Sequence, residues 1–213
     1  MFERLHMPPF AGATEWLSSE PLGPAELRGH VVLVNFWTQT CINWLRQEPY
    51  VRAWSQAYRG DGLLVIGVHT PEFFFEHEID RVRQATKERG IDYPVAVDNK
   101  YEIWSAFDNH YWPALYFIDA EGSIREHHFD EGRYEQSEHI IQRLLGVQRE
   151  LVSALDGEAP GPSAGVDVDE DGTGVLRHGR LYELIRQHDT VHEQTLEITF
   201  LERGAEAYAF TFG

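Results

Sequence analysis

Cys41, in the segment WTQTCINWL over residues 37–45, is the only cysteine in the chain, and it stands where a helix is set to begin. A thiol at such a point faces backbone N–H groups that lack intrahelical partners, together with the positive end of the helix dipole, and both favour the thiolate. Trp37, Trp44 and Trp112 pull the other way if they crowd the sulfur, because desolvation disfavours the charged form. A reactive and an inert Cys41 are both open at this point. Eleven histidines raise the question of a metal. The densest spot, EHHF over 126–129, puts His127 and His128 on opposite faces of a strand, where they cannot easily chelate together. His69 and Glu72 stand at the carboxyl end of a predicted central strand, where ligands of α/β sheets gather, although ordinary surface polarity is the simpler reading. His110 is the one histidine placed to assist acid–base chemistry. DVDEDG, residues 167–172, matches the first half of a calcium loop with Asp167, Asp169 and Asp171 as ligands, but position twelve is His178 instead of glutamate. A solvated acidic turn is the simpler reading, and no other metal or cofactor is expected.

The elements that must position Cys41 follow from hydrophobic periodicity. HVVLVNFW (30–37) and GLLVIGVHT (62–70) are apolar, β-branched runs of the kind buried on both faces of a sheet. Between them Leu45, Val51, Trp54 and Tyr58 recur at helical spacing, with Pro49 inside and Gly60 at the end. The unit predicts a right-handed βαβ crossover. A second amphipathic helix is predicted over 78–90, a short strand at YPVAVD, a short helix at KYEIWSAFD, an antiparallel hairpin over 113–129 about a turn at 119–122, and a last helix over 135–151. The predicted fold class is α/β with a mixed central sheet. Residues 1–150 form the predicted main domain, 151–175 an acidic linker rich in glycine and proline, and 176–213 a small antiparallel β extension. The apolar face of that extension must pack on the main domain or on a second copy, so a tail folded back on its own domain and a homodimer through these strands are both open.

Thirty-five acids against 18 bases give a net charge of −17, which disfavours nucleic acid and anionic lipid as partners. No run is long enough to span a bilayer, and the first residues lack the pattern of a secretory signal. A cytoplasmic location is therefore expected.

VNFWTQTCINWLRQEPYV, VIGVHTPEF and YWPALYFID resemble the thioredoxin-fold redoxin group, which takes in TlpA-like and AhpC/TSA-related proteins, and most resemble the thioredoxin-like domain of DipZ-type proteins. The resemblance covers about residues 8–148, and the ending LEITFLERGAEAYAFTFG resembles the close of the β-rich domain that follows in longer relatives. It implies a thioredoxin-like fold, a nucleophilic Cys41, Pro49 as the helix proline and Pro113 as a cis-proline opposite the thiol. The second cysteine of C-x-x-C is replaced by Trp44, and Asn35 stands where many relatives carry a buried acid. The implied activity is a monothiol one: Cys41 attacks a disulfide or peroxide, and an external low-molecular-weight or protein thiol regenerates it. Trp37, Thr38, Thr40, Asn43, Trp44, Trp112 and Pro113 are the residues expected to bind substrate or shape the site. Two alternatives accompany this reading. One is a redox-inactive module that binds a peptide in the cis-proline groove, with the tryptophans as its rim and Trp44 as anchor. The other is a one-cysteine peroxidase, since Thr38 and Cys41 match the T-x-x-C core of peroxiredoxins, although Val34 replaces that motif's proline and Arg46 is not aimed at the thiol.

Overall fold

A computed structural model describes residues 6–152, together with the isolated Ile198. The chain divides into two units, Met1–Leu155 and Asp156–Gly213, and the sheet and its helices belong to the first. The expected calcium loop and the three C-terminal strands lie outside the described residues.

Among the described residues, six strands form one sheet. β1 is Glu15–Leu17, β2 Val31–Trp37, β3 Leu63–His69, β4 Val95–Val97, β5 Ala114–Ile118 and β6 Ile124–Phe129. Their order across the sheet is β1-β4-β3-β2-β5-β6. β2, β3 and β4 run parallel, while β1, β5 and β6 pair antiparallel to their neighbours. The two long apolar runs are thus adjacent at the centre, where a strand needs apolar residues on both faces. The hairpin falls where predicted, closed by Asp119, whose carboxylate accepts from the Ser123 N–H (2.8 Å).

Helices cover both faces. α2 (Ile42–Tyr58), α3 (Ile79–Glu88) and α5 (Tyr134–Leu145) lie on one side, where Leu33 and Val65 meet Val51, Trp54, Val82 and Ile141 in a buried cluster. α1 (Pro24–Leu27) and α4 (Glu102–Ala106) cover the other, where Val34, Phe36 and Val68 meet Leu27 and Ile103. Alternation along β2 sends odd-numbered residues to the α2 side and even-numbered ones to the α4 side. Among the described residues no helix is long and apolar enough to cross a membrane.

Two features of the α2 side bear on the site. Glu138 of α5 is buried and accepts from Trp54 Nε1 (3.1 Å), the Tyr58 hydroxyl and the Val152 N–H (2.7 Å), which ties α5 to α2. Gly67 of β3 leaves room for a tryptophan: a Cβ there would lie 2.9 Å from Trp37 Nε1 and 3.2 Å from Tyr93 Cε2.

Candidate active site

β2 ends at Trp37, and the chain turns through Thr38, Gln39 and Thr40 before Cys41 caps the N-terminus of α2. The backbone closes this turn through Cys41 N–H to the Thr38 carbonyl (3.3 Å) and Leu45 N–H to the Cys41 carbonyl (3.0 Å). Cys41 has extended backbone angles, and its side chain accepts no capping hydrogen bond. The half-buried Sγ instead donates to the carbonyl oxygen of Trp112, at 3.7 Å. The Trp112–Pro113 peptide is cis, and Trp112 is fixed in turn by its indole N–H to the Thr70 carbonyl (3.0 Å) and by its ring against Trp104. The two segments expected to face one another, 37–45 and 112–113, are therefore in contact at the sulfur.

Burial opposes the helix terminus at the thiol. Burial pushes the Cys41 pKa up more than the N–H groups of Trp44 and Asn43 bring it down, and the charges of Glu72 and Asp130 add to the rise. The helix terminus acts as expected, but desolvation outweighs it.

The tryptophans correct the sequence expectation. Trp37 and Trp44 are fully buried and stack on each other with centroids 4.3 Å apart, so neither forms a rim and Trp44 cannot anchor a ligand from solvent. Trp37 is an odd-numbered β2 residue and points to the α2 side with Leu33, while Trp44 lies on the same face of α2 as Val51 and Trp54. The Arg89 guanidinium lies over the Trp44 ring at 5.9 Å. Only Trp112 of the three remains half exposed.

Beneath Cys41 runs a network of neutral amides. Trp44 Nε1 donates to Asn35 Oδ1 (3.2 Å), Asn35 Nδ2 donates to Gln47 Oε1 (2.9 Å), and Gln47 Nε2 donates to the Asp130 carbonyl (3.3 Å). None of these groups titrates, so the network offers Cys41 no buried base. Sequence reasoning found Asn35 but missed Gln47, which sits one helical turn beyond Asn43.

The hydroxyls also differ from expectation. Thr38 is buried and its Oγ1 has no hydrogen-bond partner among the described residues, so it is not presented to a peroxide arriving from solvent. Thr40 gives both its N–H (3.2 Å) and its hydroxyl (2.8 Å) to the buried carboxylate of Glu76. Glu76 further accepts from the N–H groups of Glu72 (2.7 Å) and Phe73 (2.9 Å). One carboxylate, not foreseen from the sequence, thereby pins the loop after β3 to the residue before Cys41. Glu76→Ala orphans these donors, and water entering the loop relieves only part of the cost, so a loss of about 3 kcal/mol is expected in urea unfolding. Glu76→Gln, which keeps one acceptor, is expected to lose about 1 kcal/mol.

Asn43 donates to Asp130 Oδ1 (2.9 Å), and Arg46 pairs with Glu131 (2.8 Å). His110 is exposed beside Asp108 (3.3 Å). His69, expected at the surface, is fully buried against Trp37, and neither ring nitrogen has a partner among the described residues. No group of three or more metal-ligating side chains gathers among the described residues.

With this geometry in view, residues 6–127 match the model of the AhpC/TSA family. The chain belongs to the AhpC/TSA family. Residues 136–213 match a second model, described as a thioredoxin like C-terminal domain. Protein DipZ of Mycobacterium tuberculosis is 45% identical over 141 residues, covering 65% of this chain and 20% of DipZ; this chain thus spans about a fifth of that relative's length. Thiol-disulfide oxidoreductase YkuV of Bacillus subtilis is 30% identical over 129 residues, covering 61% of this chain and 85% of YkuV. Among solved structures, a thiol-disulfide isomerase from Corynebacterium glutamicum superposes with a TM-score of 0.63 at 22% identity, covering 70% of this chain and all of that one, which establishes the fold. This AhpC/TSA member therefore has the thioredoxin-like fold of thiol-disulfide oxidoreductases, a mixed sheet flanked by helices, with Cys41 at the helix terminus and Trp44 three residues on.

Proposed function

We propose that the protein is a monothiol exchange protein: Cys41 captures a disulfide as a mixed disulfide and holds it until an external thiol, small or protein-borne, removes it. The observation that carries this reading is the meeting of Cys41 Sγ with the Trp112 carbonyl at the cis-proline (3.7 Å), in a chain whose position 44 is a buried tryptophan instead of a resolving thiol. In the forward step the Cys41 sulfur attacks one sulfur of the disulfide. A new S–S bond forms, the old one breaks, and the departing thiolate carries away the electron pair. A thiol whose pKa is raised is a poor leaving group, so the mixed disulfide is expected to be long-lived.

The same raised pKa favours a second reading, a redox-inactive module that uses the cis-proline groove to bind. Peroxidase chemistry is the weakest of the three, because the Thr38 hydroxyl is buried and Arg46 is engaged by Glu131.

Treating the native protein with the neutral, chromogenic 4,4′-dithiodipyridine separates the readings. Exchange predicts release of one equivalent of thiopyridone, a matching mass increase that persists until thiol is added, and no reaction in Cys41→Ser. The rate is expected to climb with pH to a midpoint above the ordinary cysteine value of about 8.5, since burial raises the thiol. Reaction only after unfolding would sink the exchange reading and leave the binding module.

A further inference from the structure

On the reading that Cys41 captures disulfides, the charges around it determine which ones. Two carboxylates flank the thiol from separate segments. Glu72 lies in the loop after β3, held through its N–H by Glu76 (2.7 Å), the same carboxylate that binds Thr40 beside Cys41. Asp130 follows β6 on the other side. Its N–H donates to the carbonyl of cis-Pro113 (2.9 Å) and its Oδ1 accepts from Asn43 in the first turn of α2 (2.9 Å). Both carboxylates act through space on the Cys41 thiol. The cation of that helix turn, Arg46, is matched by Glu131 (2.8 Å), so this pair adds no net charge. Two exposed aromatic side chains belong to the neighbouring segments: Phe74, 90% exposed, two residues beyond Glu72, and Tyr111, 53% exposed, immediately before Trp112 and packed on Phe129 of β6 (4.8 Å). Aromatic faces attract cations.

We propose that Cys41 selects disulfides whose arms carry positive charge beside the sulfur, whether a small amine disulfide or a cysteine flanked by Lys or Arg in a polypeptide, and discriminates against anionic ones. The exchange is redox-neutral: the Cys41 proton passes to solvent or to the departing thiolate, and one S–S bond replaces another.

The test measures second-order rates of native protein with cystamine, bis(2-hydroxyethyl) disulfide and oxidised glutathione at low ionic strength, each divided by its rate with 2-mercaptoethanol to remove intrinsic reactivity. The normalised rates are expected to fall in that order, by about tenfold from first to last, and to converge near 1 M salt, where the screening length drops to about 3 Å. Glu72→Gln and Asp130→Asn are expected to compress the range by threefold or more. Asparagine suits the left-handed backbone of Asp130 (φ 69°). Glu121→Gln, in the hairpin turn at the far end of the sheet, is the control and leaves the range intact. A flat series overturns the proposal, as does equal compression by Glu121→Gln, which would assign the ordering to the net charge of −17. Disulfides of Arg-Cys-Arg and Glu-Cys-Glu peptides separate the two sources. A preference for the former extends the selection to polypeptides, and a preference confined to cystamine keeps it to small amine disulfides. Absence of reaction with the neutral disulfide is a different result, and it removes the exchange reading itself.

Discussion

Acidification is expected to strip on the order of 5 kcal/mol from the stability of the fold, with His69 as the main cause. Its imidazole is fully buried, and that burial, more than the charge of His77, brings its pKa from 6.5 down to about 3. Below pH 6.5 the unfolded chain takes up a proton at this residue that the folded chain refuses. The stabilisation is therefore complete above 6.5 and is lost progressively as the pH falls towards 3. Urea titrations at intervals from pH 7 to 3 measure it. His69→Leu removes the titrating group and the two orphaned nitrogens, which replaces a costly polar burial by an apolar one. Its stability is expected to match or exceed that of the parent at pH 7 and to diverge upward as the pH falls. The comparison isolates His69 from the carboxylates, which respond to acid in both directions: Asp119 is held low by Ser123 and Arg125, whereas burial raises Glu48 and Asp98. Parallel curves for parent and variant would contradict the assignment.

Restoring a C-x-x-C sequence by Trp44→Cys is expected to cost about 3–5 kcal/mol, the usual penalty for emptying a buried tryptophan site. The indole fills the space between Trp37 and the body of α2, and its N–H satisfies Asn35 Oδ1 (3.2 Å). Removing it opens a cavity under the site and frees one end of the amide network. Thermal or urea unfolding of the reduced variant gives the loss directly. A variant as stable as the parent would mean that the stack with Trp37 contributes little and that α2 can settle into the space. The dithiol motif cannot therefore be regained by one substitution without repacking around Trp37.

The βαβ unit was legible because Val31–Trp37 and Leu63–His69 lie at the centre of the sheet, where both faces must be apolar and the run announces itself. The hairpin and the position of Cys41 were legible from order and spacing, and the facing of segments 37–45 and 112–113 from the resemblance to the redoxin group. β1 was not: three half-buried residues, EWL, carry no period, and the strand exists because Val97, Ala96 and Val95 offer an open edge. The tryptophans were misplaced because nearness to Cys41 in sequence says nothing about the side of the sheet, yet the signal was available in the parity of Leu33 and Trp37 and in the helical spacing of Trp44, Val51 and Trp54. Glu76 and Glu138 were illegible for a different reason. An acid is ordinarily a solvated surface residue, and only the tertiary convergence of N–H and O–H donors on each makes it an interior group.

Gly67 and Trp37 occupy one shared volume on neighbouring strands. Because a methyl group at 67 would meet the indole at 2.9 Å, neither position is free to drift alone. A chain of this lineage that acquires a side chain at 67 must first shrink residue 37, and one that shrinks residue 37 loses the stacking surface that Trp44 fills. The three residues are coupled through one volume, so that a side chain added at 67 is felt at 44 through the indole of 37.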